Sequence, residues 1–244
     1  MSDVKDLADR VILITGASRG IGYFTALEAA KRGAHIIAVA RTIGGLEELD
    51  DEIQDAGGTA TLVPLDITEG DKVDQMGGSI FERWGKLDGL IANAGLLGII
   101  SPVPHIAPKE VGNVFDVNVI ANFRLLRSLD PLLRQSDAGR AVFVSSSSAE
   151  TGKPFWGLYG ATKAAVNAMA KSYASEMEAS SVNTNVFYPG AVRTGMRAKA
   201  VPGEDPQTIP HPREIVSKLV DMVTPDNQMN GQVFDIRTGA YRPL

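Results

Sequence analysis

The chain contains no cysteine. That single absence excludes disulfides, thiolate metal sites, redox switches and a cysteine nucleophile. It fits a reducing cytosol, and a cytoplasmic location is the expectation. Histidine is nearly as scarce. His35, His105 and His211 lie far apart without the H-E-x-x-H spacing of a zinc hydrolase, so no metal site is expected. The acidic run Glu47-Glu48-Leu49-Asp50-Asp51-Glu52 lacks calcium-loop spacing and reads as a solvated helix face. No apolar run is long enough to cross a bilayer: the longest charge-free stretch, roughly residues 89–104, is short and broken by Asn, Gly and Pro. The first ten residues hold no apolar segment of the kind a secretory signal needs. Positive charge is not in excess either. A formal net charge of −5 argues against a general binder of nucleic acid or anionic membranes.

What is present is an ordinary globular composition. Of 244 residues, 44% are hydrophobic and 22% charged, which excludes a disordered chain, and Gly 25 and Pro 13 are spread along the sequence, which excludes a collagen-like one. One α/β domain can take the whole of residues 1–244. Short apolar runs over 11–15, 35–40, 61–65, 87–92, 141–145, 184–188 and 232–236 read as strands. They alternate with helical patterns over 20–32, 44–55, 71–84, 108–133 (with a break expected at Pro131), 159–179 and 212–223. The strands are continuously apolar, not alternating, so both faces are buried. A doubly wound sheet of seven parallel strands with helices on both sides follows. Residues 195–212 carry Pro202, Pro206, Pro210 and Pro212 and read as an irregular loop, a candidate lid over a substrate.

The first strand runs into Thr15-Gly16-Ala17-Ser18-Arg19-Gly20-Ile21-Gly22 and then a helix. Strand, glycine-rich turn and helix together make the context in which a dinucleotide pyrophosphate binds. Gly16 permits the tight turn, Gly20 lets the backbone approach the phosphates, and Gly22 allows close helix–strand packing. The helix N-terminus supplies free N–H groups and a positive dipole end. The second strand ends in Val39-Ala40-Arg41, with no acidic side chain to accept from ribose hydroxyls and repel a 2′-phosphate. Arg41 and Arg19 are placed to meet such a phosphate. A charged hydrogen bond is worth roughly 1.5–3 kcal/mol, so each arginine would favour the phosphorylated cofactor by about ten- to hundredfold.

Farther on, Tyr159-Gly160-Ala161-Thr162-Lys163 puts a phenol and an ammonium four residues apart. On a helix such residues share a face, with Cβ atoms roughly 5–6 Å apart. A charge about 4 Å from the phenol at an effective dielectric of ~20 contributes about 4 kcal/mol, enough to lower its pKa by about three units. The expectation is therefore a tyrosine made useful in proton transfer by its lysine. Ser146, within Ser145-Ser146-Ser147-Ser148, ends the fifth strand, where doubly wound folds place their ligands. Asn118 is a polar residue on the apolar face of a helical pattern.

With these motifs in this order, the sequence resembles the short-chain dehydrogenase/reductase family in its short, single-domain branch. Its T-G-x-x-x-G-x-G turn, Asn93-Ala94-Gly95 (Ala92 standing where the family usually has a first Asn), Y-x-x-x-K and Pro189-Gly190-Ala191-Val192-Arg193-Thr194 carry the resemblance, which covers nearly the whole chain. The resemblance implies a Rossmann-like fold and an NADP(H)-dependent enzyme moving hydride between the nicotinamide and a small carbonyl or secondary-alcohol substrate. It implies four catalytic residues: Tyr159 as general acid/base, Lys163, Ser146 (thirteen residues before the tyrosine, with Ser147 and Ser148 as alternatives), and Asn118, at a helix kink with a water leading to the lysine. It implies cofactor contacts from Gly16, Ser18, Arg19, Gly20, Ile21, Gly22, Arg41, Asp66, Ile67, Asn93, Ala94, Gly95, Tyr159, Lys163, Pro189, Gly190, Val192 and Thr194. Trp156 and Met196 join Ser146 at the substrate, in a pocket with Leu96, Leu97, Glu150 and Phe155. A homodimer or homotetramer is also implied. The alternative is a non-catalytic NADP(H) sensor or scaffold on the same fold, against which all four catalytic residues count.

Overall fold

The structure is a computed structural model that describes residues 5–244. Strands β1 (Val11–Thr15), β2 (His35–Ala40), β3 (Thr59–Pro64), β4 (Gly89–Ala92), β5 (Arg140–Val144), β6 (Asn183–Tyr188), β7 (Gln232–Asp235) and β8 (Ala240–Pro243) form one sheet in the order β3-β2-β1-β4-β5-β6-β7-β8. The first seven are parallel, and β8 runs antiparallel to β7. The sheet therefore has one strand more than the seven expected. Residues 236–239 turn the chain back, with Gly239 at φ 65 and its N–H bonded to the Asp235 carbonyl at 2.9 Å.

The helices are α1 (Gly20–Lys31), α2 (Ile43–Asp55), α3 (Gly70–Trp84), α4 (Pro108–Phe115), α5 (Ala121–Leu133), α6 (Ser148–Thr151), α7 (Gly157–Glu176), α8 (Gly195–Ala200) and α9 (Val216–Asp221). A five-residue π-turn, Asp116–Ile120, joins α4 to α5. Three expectations shift here. The helix runs through Pro131 to Leu133: the proline falls in the last turn of α5, so it forfeits one N–H bond just before the helix ends. The pattern over 212–223 is a short 3₁₀ turn, Pro212–Glu214, followed by α9. The candidate lid is not wholly irregular, since it opens with α8. Among the described residues no helix is long and apolar enough to cross a membrane.

Successive strand residues point to opposite faces, and here both faces are covered. Leu13, Ile37, Leu90, Phe143 and Val186 pack with residues of α3, α5 and α7, while Ile12, Ile36, Ile91, Val142 and Phe187 pack with α1, α2 and α9. This two-sided burial explains why every residue of β1 is apolar or buried. Each large side chain so placed contributes roughly 1.5–3 kcal/mol. Winding reverses between β1 and β4, which opens a crevice beyond the carboxyl ends of the strands.

Candidate active site

The glycine turn lies at that crevice. Gly16 and Gly20 have φ +68 and +62, conformations that disfavour any side chain. A β-carbon on Gly22 would lie 2.4 Å from the Gly16 carbonyl oxygen and 2.5 Å from Asn93 Nδ2. The turn is fixed from the neighbouring strand: Asn93 Nδ2 donates to the Thr15 carbonyl at 3.0 Å, and the N–H groups of Asn93 and Ala94 both donate to Thr15 Oγ1 at 3.0 Å. The residue preceding α1, Arg19, makes no side-chain capping bond, so no side chain there accepts from the first-turn N–H groups. This cradle of bare backbone and free donors fits a pyrophosphate. Gly22→Ala is expected to lower the thermal midpoint: overpacking of this kind costs about 1–3 kcal/mol, and each kcal/mol moves the midpoint by roughly 2–4 °C in a chain of this size. An unchanged melting curve would contradict this packing.

The segment after β6 returns to the same place. A β-carbon on Gly20 would sit 3.5 Å from Thr194 Cγ2. Pro189 precedes Gly190, which takes φ +69, and Val192 is buried. Thr194 Oγ1 accepts from the Arg197 N–H at 3.2 Å and so caps α8. At the end of β2, Arg41 is mostly exposed and stands 3.6 Å from Asp66 Oδ2. Asp66 Oδ1 accepts from the N–H and hydroxyl of Thr68, at 3.0 and 2.8 Å. Burial would raise the Asp66 carboxyl, but the Thr68 bonds and the Arg41 charge outweigh it and hold it below the usual carboxylate range. Ile67 beside it is buried, Ile21 is half-buried, and Arg19 is exposed. The Ser18 carbonyl packs so close to α2 that a β-carbon on Gly45 would lie 2.7 Å from its oxygen.

The second half of the crevice is built on α7. Lys163 is buried and donates from Nζ to the Val144 carbonyl at 2.8 Å, which docks the helix on the end of β5. Asn118 sits at the centre of the π-turn, where the resemblance places a kink. It is fully buried: Oδ1 accepts from the Leu96 N–H at 2.7 Å, and Nδ2 donates to the Leu96 carbonyl at 2.9 Å and to Thr162 Oγ1 at 3.0 Å. A β-carbon on Gly95 would lie 3.2 Å from Asn118 Oδ1 and 3.6 Å from Lys163 Nζ, so these residues converge around one glycine. Lys163 Nζ is 5.6 Å from the Tyr159 ring centroid. The expected lowering of the phenol is not what the structure shows. Burial governs both groups, pushing Tyr159 up to about 12 and Lys163 down to about 8. Desolvation is the only cause of either shift, with no charge pairing between the two groups to offset it.

Of the four serines, Ser145 is buried with its hydroxyl toward the Lys163 carbonyl, 3.4 Å away. Ser146 Oγ accepts from the N–H and hydroxyl of Ser148, at 3.2 and 2.9 Å. A β-carbon on Gly160 would lie 2.7 Å from the Ser148 carbonyl oxygen, which presses this turn against the residue after Tyr159. The Trp156 ring meets Tyr159 edge-on at 6.0 Å, with Lys153 Nζ 4.6 Å over its face. Phe155 and Met196 are exposed nearby in sequence to the turn and the lid, and Leu96 is half-buried. Leu97 is buried, and Glu150 is bound by Arg242 and Tyr188 instead of standing free in the pocket. Thr15 and Thr162 lie inside the glycine-turn and Y-x-x-x-K motifs, but only the fold shows their part: they hold Asn93 and Asn118 in place.

A crevice of this kind places the protein in the Rossmann-like class of α/β enzymes. Residues 10–205 match the family model described as short chain dehydrogenase, and the chain belongs to that family. It is 36% identical over 237 residues to the uncharacterized oxidoreductase YciK of Escherichia coli, covering 96% of this chain and 94% of that protein. A short chain dehydrogenase from Shigella flexneri, complexed with NADP, superposes with a TM-score of 0.92 at 35% identity, over 97% of this chain and 100% of that one. Another from Escherichia coli, complexed with NADPH, gives 0.89 at 36%, over 95% and 98%. The protein is accordingly a short-chain dehydrogenase/reductase enzyme.

Proposed function

We propose that this enzyme uses NADP(H) to interconvert a small-molecule ketone or aldehyde and the corresponding alcohol. The observation that carries the reading is the convergence of Asn118 Oδ1 and Lys163 Nζ at Gly95, with Tyr159 one turn away on α7. The bound nicotinamide supplies or accepts the hydride. The glycine turn (Gly16, Ser18, Gly20, Ile21, Gly22) would hold its pyrophosphate, and Arg19 and Arg41 the 2′-phosphate. Asp66 and Ile67 would meet its adenine, Asn93, Ala94 and Gly95 would line its groove, and Pro189, Gly190, Val192 and Thr194 would hold its carboxamide. Tyr159 Oη gives its proton to the substrate oxygen in reduction and takes it back in oxidation. Ser146 Oγ orients and polarises that oxygen. Lys163 Nζ holds the ribose, and Asn118 keeps the kinked helix in register beside it. Trp156 and Met196 frame the substrate. Residues 195–212 act as a lid, closed near its far end where the N–H of Arg193, just before it, donates to the Pro210 carbonyl at 2.9 Å. Residues 1–244 work as one domain, and exposed Ile120 at the end of the π-turn and Phe123 on α5 support assembly into a homodimer or homotetramer.

Titration with NADPH and NADH, followed by nicotinamide fluorescence, tests the cofactor. Arg41→Ala is expected to weaken NADPH by about ten- to hundredfold, leaving NADH nearly unchanged. Preference for NADH, or an alanine variant that binds NADPH as well as wild type, would overturn the assignment. NADPH binding without turnover across a ketone and alcohol screen would favour the sensor reading.

A further inference from the structure

Helix α6 has only four residues, too few to hold its own shape in water. Yet it begins at Ser148, whose N–H and hydroxyl both donate to Ser146 Oγ. Something outside the helix must fix it. Glu150, its third residue, receives two bonds from one Arg242 nitrogen, 2.7 Å to each carboxylate oxygen, reaching across 92 residues of sequence from β8. The same carboxylate accepts from the Tyr188 hydroxyl at 2.9 Å, and that hydroxyl accepts from Asn167 Nδ2 at 2.5 Å. A phenol has one proton. Since it goes to Glu150, Asn167 must present its N–H, which fixes the direction of the whole chain and leaves Asn167 Oδ1 buried without a partner. Asn167 lies one turn beyond Lys163 on α7, and Tyr188 is the last residue of β6, directly before Pro189-Gly190. One carboxylate thus joins the serine turn, the tyrosine–lysine helix and the end of β6, and a cation from the last strand balances its charge.

We propose that Glu150 and Arg242 are positioning residues that hold the Ser146 turn in register with Tyr159 and Lys163. The proposal rests on the reading in which those three act on the substrate carbonyl. Both partners are about half exposed, so the ion pair contributes little to global stability. Its effect falls on geometry.

The test uses the full chain with Arg242→Ala, Arg242→Lys and Glu150→Gln. Arg242→Ala is expected to lower kcat by roughly 10–100-fold, the scale of a misplacement of about 1 Å. NADPH affinity should fall by much less than kcat, since the glycine turn and Arg41 lie on elements the ion pair does not touch and only Lys163 and the Pro189-Gly190 segment adjoin it, and the lysine variant, which keeps a cation for Glu150, should recover most of the rate. Amide hydrogen exchange over residues 145–151 is expected to quicken in Arg242→Ala while exchange in β1 does not change. Wild-type kcat in Arg242→Ala, unaltered exchange over 145–151, or an equal loss of NADPH affinity would each overturn the proposal. If the wild-type protein binds NADPH but turns nothing over, the catalytic reading fails by itself, and exchange alone decides whether Arg242 holds the serine turn.

Discussion

Replacing Tyr159 by Phe is expected to cut turnover of any ketone the wild-type protein reduces by roughly 10²–10⁴-fold, the usual worth of a positioned general acid. The ring stays, so its packing against Trp156 and the register of α7 stay with it, and NADPH affinity should change little. Only the hydroxyl is lost. The direction of the pKa shift gives the experiment a second edge. Burial pushes the phenol up to about 12, so at neutral pH Tyr159 carries the proton that reduction needs. Oxidation of an alcohol requires the deprotonated form, and its rate should climb with pH. Reduction should decline once Lys163, at about 8, gives up its charge. Steady-state profiles in both directions check this. A Phe variant within about tenfold of wild type would move the proton transfer to another group, Ser146 being next in reach of the same oxygen.

Lys163→Met is expected to abolish turnover and, at the same time, to leave the protein melting no lower than wild type. The native pKa of about 8 lies below the ordinary value of 10.5. Between those values the unfolded chain binds the proton and the folded chain does not, so stability from this group rises with pH across that window. At neutral pH the charged lysine destabilises the fold by roughly 3 kcal/mol. Methionine removes that cost but leaves the buried Val144 carbonyl without its donor, which costs about 1–3 kcal/mol. The difference, about 0–2 kcal/mol, gives a midpoint at pH 7 no lower than wild type and up to several degrees higher, at roughly 2–4 °C per kcal/mol. The gain should shrink as the pH approaches 10.5. A Met variant that melts below wild type at pH 7 would show that burial of this ammonium costs less than the bond it makes to Val144.

The contrast between these two residues shows what the sequence could and could not reveal. The four-residue spacing placed the phenol and the ammonium on one helical face. Spacing carries no information about depth, however, and depth set both pKa values. The strands were legible because burial on both faces forces uninterrupted apolar runs, as in β1. Strand β8 obeys no such rule: four residues at the sheet edge, mostly exposed and ending in Pro243, have no pattern to display. The resemblance implied a kink at Asn118, but the π-turn itself had no signature in the sequence, since a single five-residue turn is too short for a change of period to register. Four prolines announced an irregular segment after Thr194 but hid α8, which is too short for a period to register. The Arg242–Glu150–Tyr188–Asn167 chain joins four elements that only the folded sheet brings together.

The pairing of Thr15 with Asn93 carries a kinetic consequence. These residues are 78 positions apart, and their bonds shape the glycine turn. Parallel strands β1 and β4 cannot meet until the chain between them has closed, and closures of that length raise contact order and slow folding. The phosphate cradle therefore cannot mature on an isolated N-terminal βα unit, although that unit holds every glycine of the motif. During synthesis the dinucleotide gains no specific purchase on the nascent chain before the fourth strand has left the ribosome and docked.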